Sequence, residues 1–252
     1  MSPLSLSLTL AFVLVTMLLS YRHHLRLEKD IFIGTVRTAV QLIAVGYLLH
    51  FIFLEGSWWG MGGMLLVMIT VATLNAAKKG KGIPGVKRRI ALAISAAEGV
   101  AMLLMLGLHI IPPEARYIIP ISGMIIGNSM VVSGLYLNRM RAEAKAREEE
   151  MKVILALGGT SRKAYERTLQ NSVKAAMMPS IDGMKTVGLV QLPGMMTGMI
   201  VAGANPVDAV LYQILIMYAI SGSAAVTATI MGLLSHSLLF NEHHQLKEMG
   251  EG

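Results

Sequence analysis

LVQLPGMMTGMIVAGANP, residues 189–206, sets a proline, a glutamine, a threonine and three glycines inside an otherwise apolar run. In a water-soluble domain such a stretch would be a loop. In a bilayer it is the interruption of a spanning helix. Proline has no N–H, so Pro193 would leave the Leu189 carbonyl without its helical partner. In hydrocarbon that group must be satisfied by protein or by water in a cavity. The choice between the two readings rests on the rest of the chain.

Of 252 residues, 54% are hydrophobic and 15% charged, and the mean hydropathy is +0.59. A soluble domain carries about 25% charged residues, so this chain is short of water-facing surface. The apolar residues fall in blocks near 4–20, 31–54, 59–76, 90–111, 117–137, 183–203 and 208–236, each close to the roughly 20 residues a spanning helix needs. The reading is an all-α polytopic membrane protein of about seven helices, with residues 1–252 as a single transmembrane domain.

The cations test this topology independently. With the N-terminus outside and the C-terminus cytoplasmic, the inner segments are 21–30, 77–89, 138–182 and the tail, holding 3, 6 and 9 Lys and Arg in the three loops. Lys185 and Lys247 bring the inner total to 20 of 22, leaving only Arg37 and Arg116 elsewhere. That asymmetry is the positive-inside pattern. The net charge of +7 is then a topology signal, and nucleic acid is not the expected partner. The first span has no basic stretch before it and no small-residue cleavage pattern before Tyr21, so it reads as a retained helix. The absence of cysteine excludes disulfides and thiolate metal sites.

The outer loops are short, whereas 138–182 forms a substantial cytoplasmic segment. NRMRAEAKAREEEMKVILAL, from Asn138, is rich in helix formers and continues span five. Gly158 and Gly159 stop that helix, and Thr160 or Ser161 caps a second one that Pro179 ends. The second helix mixes Arg162, Lys163, Glu166 and Arg167 with Ala164, Tyr165 and Leu169. That amphipathic mixture suits docking on another protein.

Enzymatic templates fail. GKGIPGVK at 80–87 lacks the GxxxxGK[ST] order of a phosphate-binding loop, and neither HExxH nor GxSxG occurs. The pairs His23–His24 and His243–His244 sit at the inner surface, pointing apart on any helix. Met195, Met196 and Met199 crowd the break; thioethers bind soft metals, but methionine is spread over nearly every span and reads as adaptable packing. GMxxG recurs at Gly123–Gly127 and Gly194–Gly198, a spacing that lets helix backbones approach.

Polar groups within spans mark a path. Arg37 and Gln41 share one face of span two. Glu98 lies about 12 Å into span four at 1.5 Å per residue, a costly depth for a charge unless it is paired or faces water. Arg37 can meet Glu98, the two acting as gate or strut or as a substrate contact, or Arg37 can snorkel to the headgroups. Gln41, Asn128, the freed Leu189 carbonyl, Gln191 and Thr197 are the expected path groups, with Pro193 and Gly194 opening the helix.

LVQLPGMMTGMIVAGANPVDAVLYQILIMYAI at 189–220 resembles the signature of the FetB (YbbM-like) membrane proteins. RTAVQLIAVGYLLHFIF at 37–53, GMIIGNSM at 123–130 and LALGGTSRKAY at 155–165 are also similar to segments of that family. The resemblance spans nearly the whole chain. It implies the permease subunit of an ATP-binding-cassette transporter in the bacterial inner membrane, a homodimer paired with a FetA-like ATPase and linked to export of iron or another metal. It is also similar to plant proteins of aluminium tolerance. No cofactor belongs to this chain on that view; ATP and Mg sit on the partner ATPase. Glu150, Gly158, Gly159, Thr160, Arg162 and Tyr165 are then the expected coupling residues. Two rivals are an ion-coupled secondary transporter with Glu98 as carrier, and a membrane scaffold that moves nothing.

Overall fold

A computed structural model describes residues 9–55, 57–80, 83 and 85–240. The start of the first expected span, Lys81, the His243–His244 pair and Lys247 lie outside the described residues. The described chain folds into helices α1 (Leu10–Arg22), α2 (Glu28–Glu55), α3 (Trp58–Ala77), α4 (Val86–Gly107), α5 (Ala115–Ala146), α6 (Glu148–Ala156), α7 (Ser161–Thr186), α8 (Gly194–Val201) and α9 (Pro206–Leu239). A 3-10 turn, Lys78–Gly80, follows α3.

Five of these, α2, α3, α4, α5 and α9, are long and apolar enough to cross a membrane, and α1 is a shorter apolar helix. The protein is a multi-pass membrane protein. The sixth expected span differs from its reading. Residues 183–203 do not begin a helix: Gly183 lies in the last turns of α7, which runs through Pro179 to Thr186. Residues 187–193 are non-helical, and α8 has only 8 residues.

The chain divides into two compact units, at Ser57 and Trp58. In the first, α1 and α2 pack on each other. Their short connection is held by Ser20, whose hydroxyl donates to the Glu28 carboxylate at 2.8 Å and accepts from the Leu27 N–H at 3.1 Å. In the second, α5 packs against α3, α4, α7 and α9, and α9 also packs against α4, α7 and α8. Ile90 and Ile94 of α4, Tyr136, Leu137 and Met140 of α5, Tyr165 of α7 and Met231 of α9 are fully buried in this core. Small residues bring the helices close: the Thr227 hydroxyl donates to Ser129 Oγ at 3.0 Å between α9 and α5. Such interhelical contacts matter where the solvent is as apolar as the side chains.

The two GMxxG pairs part company. A Cβ on Gly123 would meet the terminal methyl of Met68 on α3 at 3.0 Å, whereas Gly127, Gly194 and Gly198 face open space.

Candidate coupling and transport site

The elbow forms as its sequence dictates. After α6, Gly158 adopts φ +83°, a conformation that costs an L-residue about 1–2 kcal/mol. The Gly158 and Gly159 N–H groups donate back to Leu155 O and Ile154 O at 3.0 and 2.8 Å, satisfying helix-end carbonyls. Thr160 then caps α7, its hydroxyl oxygen accepting from the Lys163 N–H at 3.3 Å. Glu150 bridges the two arms, taking Arg147 Nη1 at 2.8 Å and Arg167 Nη1 at 3.1 Å. Lys163 pairs with Glu166 at 2.7 Å, which holds the Glu166 carboxyl below the usual carboxylate range.

Two cavities open on this elbow. One of about 680 Å³ is lined by Thr160, Arg162, Lys163, Glu166, Leu169 and His236 among others. The other, about 270 Å³, lies between Glu150 and Ile154 of α6 and Lys163, Arg167 and Gln170 of α7. Charged rims over a part-apolar floor suit a protein partner.

Tyr165 corrects its reading as a docking handle. It is 1% exposed, and its hydroxyl donates to Gly232 O of α9 at 3.4 Å. It therefore accepts from the Tyr136 hydroxyl of α5, 2.5 Å away. Burial pushes the Tyr165 phenol up, keeping it neutral. Ala164 is buried too. Ser161 and His236 Nε2 lie 3.1 Å apart, and the His236 ring stacks on Phe240. The elbow is thus wired to α5 and α9 by Tyr136, Gly232 and His236, three contacts the sequence reading did not single out.

At its other end α7 runs into the break. Gly188 takes φ +84°, where glycine is favoured, and its N–H donates to Gln191 O at 2.9 Å. The Val190 N–H donates to Thr186 O at 3.0 Å. Pro193 stands as the N-cap of α8, so it starts a helix rather than kinking one. The Leu189 carbonyl is accordingly not a helical carbonyl robbed of its donor, and the Leu189 side chain is 90% exposed. Thr197 spends its hydroxyl on Pro193 O and Gly194 O at 3.3 and 3.0 Å. Gln191 and Gly194 are exposed.

Between α7, this loop, α8 and α9 lies a cavity of about 400 Å³, lined by Met184, Val187, Gly188, Leu192, Met196, Val210, Gln213, Ile214, Met217 and Tyr218. Gln213 was not anticipated. Its only sequence signal is an amide in the apolar run LYQILIM.

Asn128 and Glu98 are not among the residues that line this cavity. Asn128 ties three helices, donating to Ile220 O of α9 and accepting from the Ser180 hydroxyl of α7, both at 3.3 Å. Arg37 and Gln41 are exposed on α2 in the first unit. Glu98 is 5% exposed, and neither carboxylate oxygen has a hydrogen-bond partner among the described residues. No group of three or more His, Asp or Glu among those residues could hold a metal ion.

Comparison with known proteins places this architecture. The model of the Uncharacterised protein family (UPF0014) matches residues 3–240. The chain is 47% identical to the UPF0014 membrane protein YjkA of Bacillus subtilis, covering 98% of this chain and 99% of that one. It is 37% identical to the Probable iron export permease protein FetB of Escherichia coli, covering 96% of this chain and 93% of that one. To the Protein ALUMINUM SENSITIVE 3 of Arabidopsis thaliana it is 35% identical, over 94% of this chain and 87% of the other. No solved structure matches.

Proposed function

From the chain's membership of the UPF0014 family of membrane proteins, we propose that it is the permease subunit of an ATP-binding-cassette transporter, paired with a separate FetA-like ATPase and exporting iron or another metal. The observation that carries this reading is the elbow. Its cavities present Arg162, Lys163, Glu166 and Arg167 to a partner, while Tyr165 beneath them is bonded to two other helices. The name of the Escherichia coli relative supports the iron.

The same helix joins both ends of the mechanism. α7 has 26 residues, about 39 Å at 1.5 Å per residue. Its first turn lines the elbow cavities, and its last turns carry Met184 and lead into the loop of the transport cavity. ATP binding closes the partner ATPases and displaces the elbow. Tyr165 transmits that displacement to α5 and α9, and α7 carries it to residues 187–193. Pro179, where the helix lacks one backbone hydrogen bond, is the compliant point of the lever. On this reading the protein acts as a homodimer in the bacterial inner membrane, with the elbow and the C-terminus cytoplasmic and the N-terminus outside.

The test is reconstitution of the chain with its ATPase in sealed liposomes loaded with iron. ATP-dependent movement of iron supports the reading. Movement without any ATPase selects an ion-coupled carrier, and no movement with intact binding of the ATPase selects a scaffold.

A further inference from the structure

The cations of this chain are not balanced alike from one segment to the next. Segment 138–182 sets its Lys and Arg among Glu143, Glu148, Glu149, Glu150, Glu166 and Asp182, and ion pairs such as Arg167–Glu150 and Lys163–Glu166 join the two signs. The turn from α3 to α4, residues 77–89, holds 6 Lys and Arg and no acidic residue. The sequence has neither Asp nor Glu anywhere from 56 to 97. Lys78, Lys79, Lys87 and Arg88 are exposed, and no ion pair among the described residues includes them. Like charges crowded in this way repel one another, so their density calls for an anion from outside the chain.

The turn is also held firmly in place. Gly80 is buried, and a Cβ on it would stand 2.9 Å from Val86 Cγ2 and 3.1 Å from Leu137 Cδ1. The 3-10 turn is therefore pressed against the start of α4 and the side of α5. The Ile83 N–H donates to Gly80 O at 3.1 Å. From α5, Arg141 Nη1 donates to Lys79 O at 3.4 Å, and Lys79 Cγ lies 3.5 Å from where a Cβ on Gly134 would stand. Arg89 folds back over Gly85, its Nη1 3.0 Å from the corresponding position there. Arg89 and Arg141 thus join the four exposed cations at one corner of the bundle.

The occupant follows from location. The turn connects two spanning helices, α3 and α4, which puts its cations at headgroup depth, where long basic side chains extend their charge. Anionic lipids are attracted to basic clusters of this size beside spanning helices. Topology alone requires cations on one side; it does not require them to lack counterions or to sit on a turn pinned to a third helix. We infer that the 78–89 turn, with Arg141, is a binding site for the headgroup phosphate of an anionic phospholipid in the leaflet at its own end of the spans. The inference is independent of the proposed transport function.

The test uses the full chain in phosphatidylcholine nanodiscs without any ATPase. The probes are two phospholipids with the same acyl chain, which carries a diazirine near the glycerol; one has a phosphatidylglycerol headgroup and the other phosphatidylcholine. Irradiation inserts the carbene into nearby bonds, and mass spectrometry locates the adduct. The expected result is saturable labelling of residues 77–89 and of α5 around Arg141 by the phosphatidylglycerol probe, well above labelling by the phosphatidylcholine probe. Lys79→Gln combined with Arg88→Gln should weaken the phosphatidylglycerol probe about fivefold for each cation removed. Lys79→Arg combined with Arg88→Lys should retain it, and Lys152→Gln, in an ion-paired segment, should leave it unchanged. Labelling of α9 by the phosphatidylcholine probe reports whether a variant folds; if the double Gln variant does not, Lys78→Gln with Lys87→Gln replaces it. Equal labelling of the turn by both probes, or undiminished phosphatidylglycerol labelling in a folded Gln variant, would overturn the inference. Protection of the turn by added ATPase would overturn it in favour of a protein partner.

Discussion

Placing a methyl group on Gly159 tests the elbow at its tightest point. A Cβ there would stand 2.7 Å from the Ile154 carbonyl oxygen and 2.6 Å from Ile154 Cγ2. The side-chain methyl can rotate away, but the carbonyl belongs to the end of α6 and accepts the Gly159 N–H at 2.8 Å. Relief to ordinary contact near 3.4 Å therefore requires the backbone to open by about 0.7 Å, a clash costing about 1–3 kcal/mol. Breaking the carbonyl's hydrogen bond adds about 1 kcal/mol. The strain falls where α7 leaves the elbow, so it changes the aim of Lys163, Glu166 and Arg167 more than the packing of the bundle. Gly159→Ala should leave far-ultraviolet helicity intact and cut permease-stimulated ATP hydrolysis about tenfold, which matches 1.4 kcal/mol of lost coupling. Gly158→Ala is the control: its φ of +83° is strained in alanine but its Cβ meets open space, so its effect should be smaller. Unchanged stimulation in folded Gly159→Ala would refute the coupling role of the elbow.

Other expectations follow from single contacts. Tyr165→Phe removes the donor to Gly232 and the acceptor for Tyr136, and should lower stability by about 1–3 kcal/mol, read as faster hydrogen exchange in α9. Burial raises the Tyr165 phenol, so its contribution is complete below the unfolded pKa of about 10 and fades as pH rises above it; the alkaline fall in thermal midpoint should be shallower in Tyr165→Phe. Glu98→Leu replaces a buried, unpartnered carboxyl and should raise stability by about 1–3 kcal/mol; a loss of several kcal/mol would instead reveal a paired charge. Glu150→Gln weakens two part-exposed ion pairs and should change stability by less than about 1 kcal/mol while loosening the elbow in hydrogen exchange.

Local chemistry was legible where one rule dominates. Hydropathy placed α2, α3, α4 and α9 within a few residues, and the Gly158–Gly159–Thr160 triplet gave both the stop and the cap; the helix expected to run from span five to Gly158 instead breaks at Arg147, between α5 and α6. Pro179 misled because proline was read as a terminus, although α7 continues through it. There Ala176 is buried and Ser180 bonds Asn128, and tertiary packing outweighs the single lost backbone bond. Tyr165 misled for a different reason. Amphipathicity shows that a helix has two faces, not which of them the bundle covers, and Gly232 on α9 makes room for that covering, since a Cβ there would crowd Leu169 and Val173 at 3.3 Å. Pro193 marks an interruption in the sequence, but its width is set by Gly188 as well; the two together excise residues 187–193 from any helix. Gln213 stayed hidden because one amide in an apolar helix looks the same whether it packs or binds.

Photo-crosslinking from the elbow tests the central claim most directly. A diazirine amino acid in place of Lys163 or Arg167, in membranes containing both subunits, should capture the ATPase, while the same group in place of Leu108 at the far end of α4 should not. Capture from Leu108 and none from either elbow position would contradict the account.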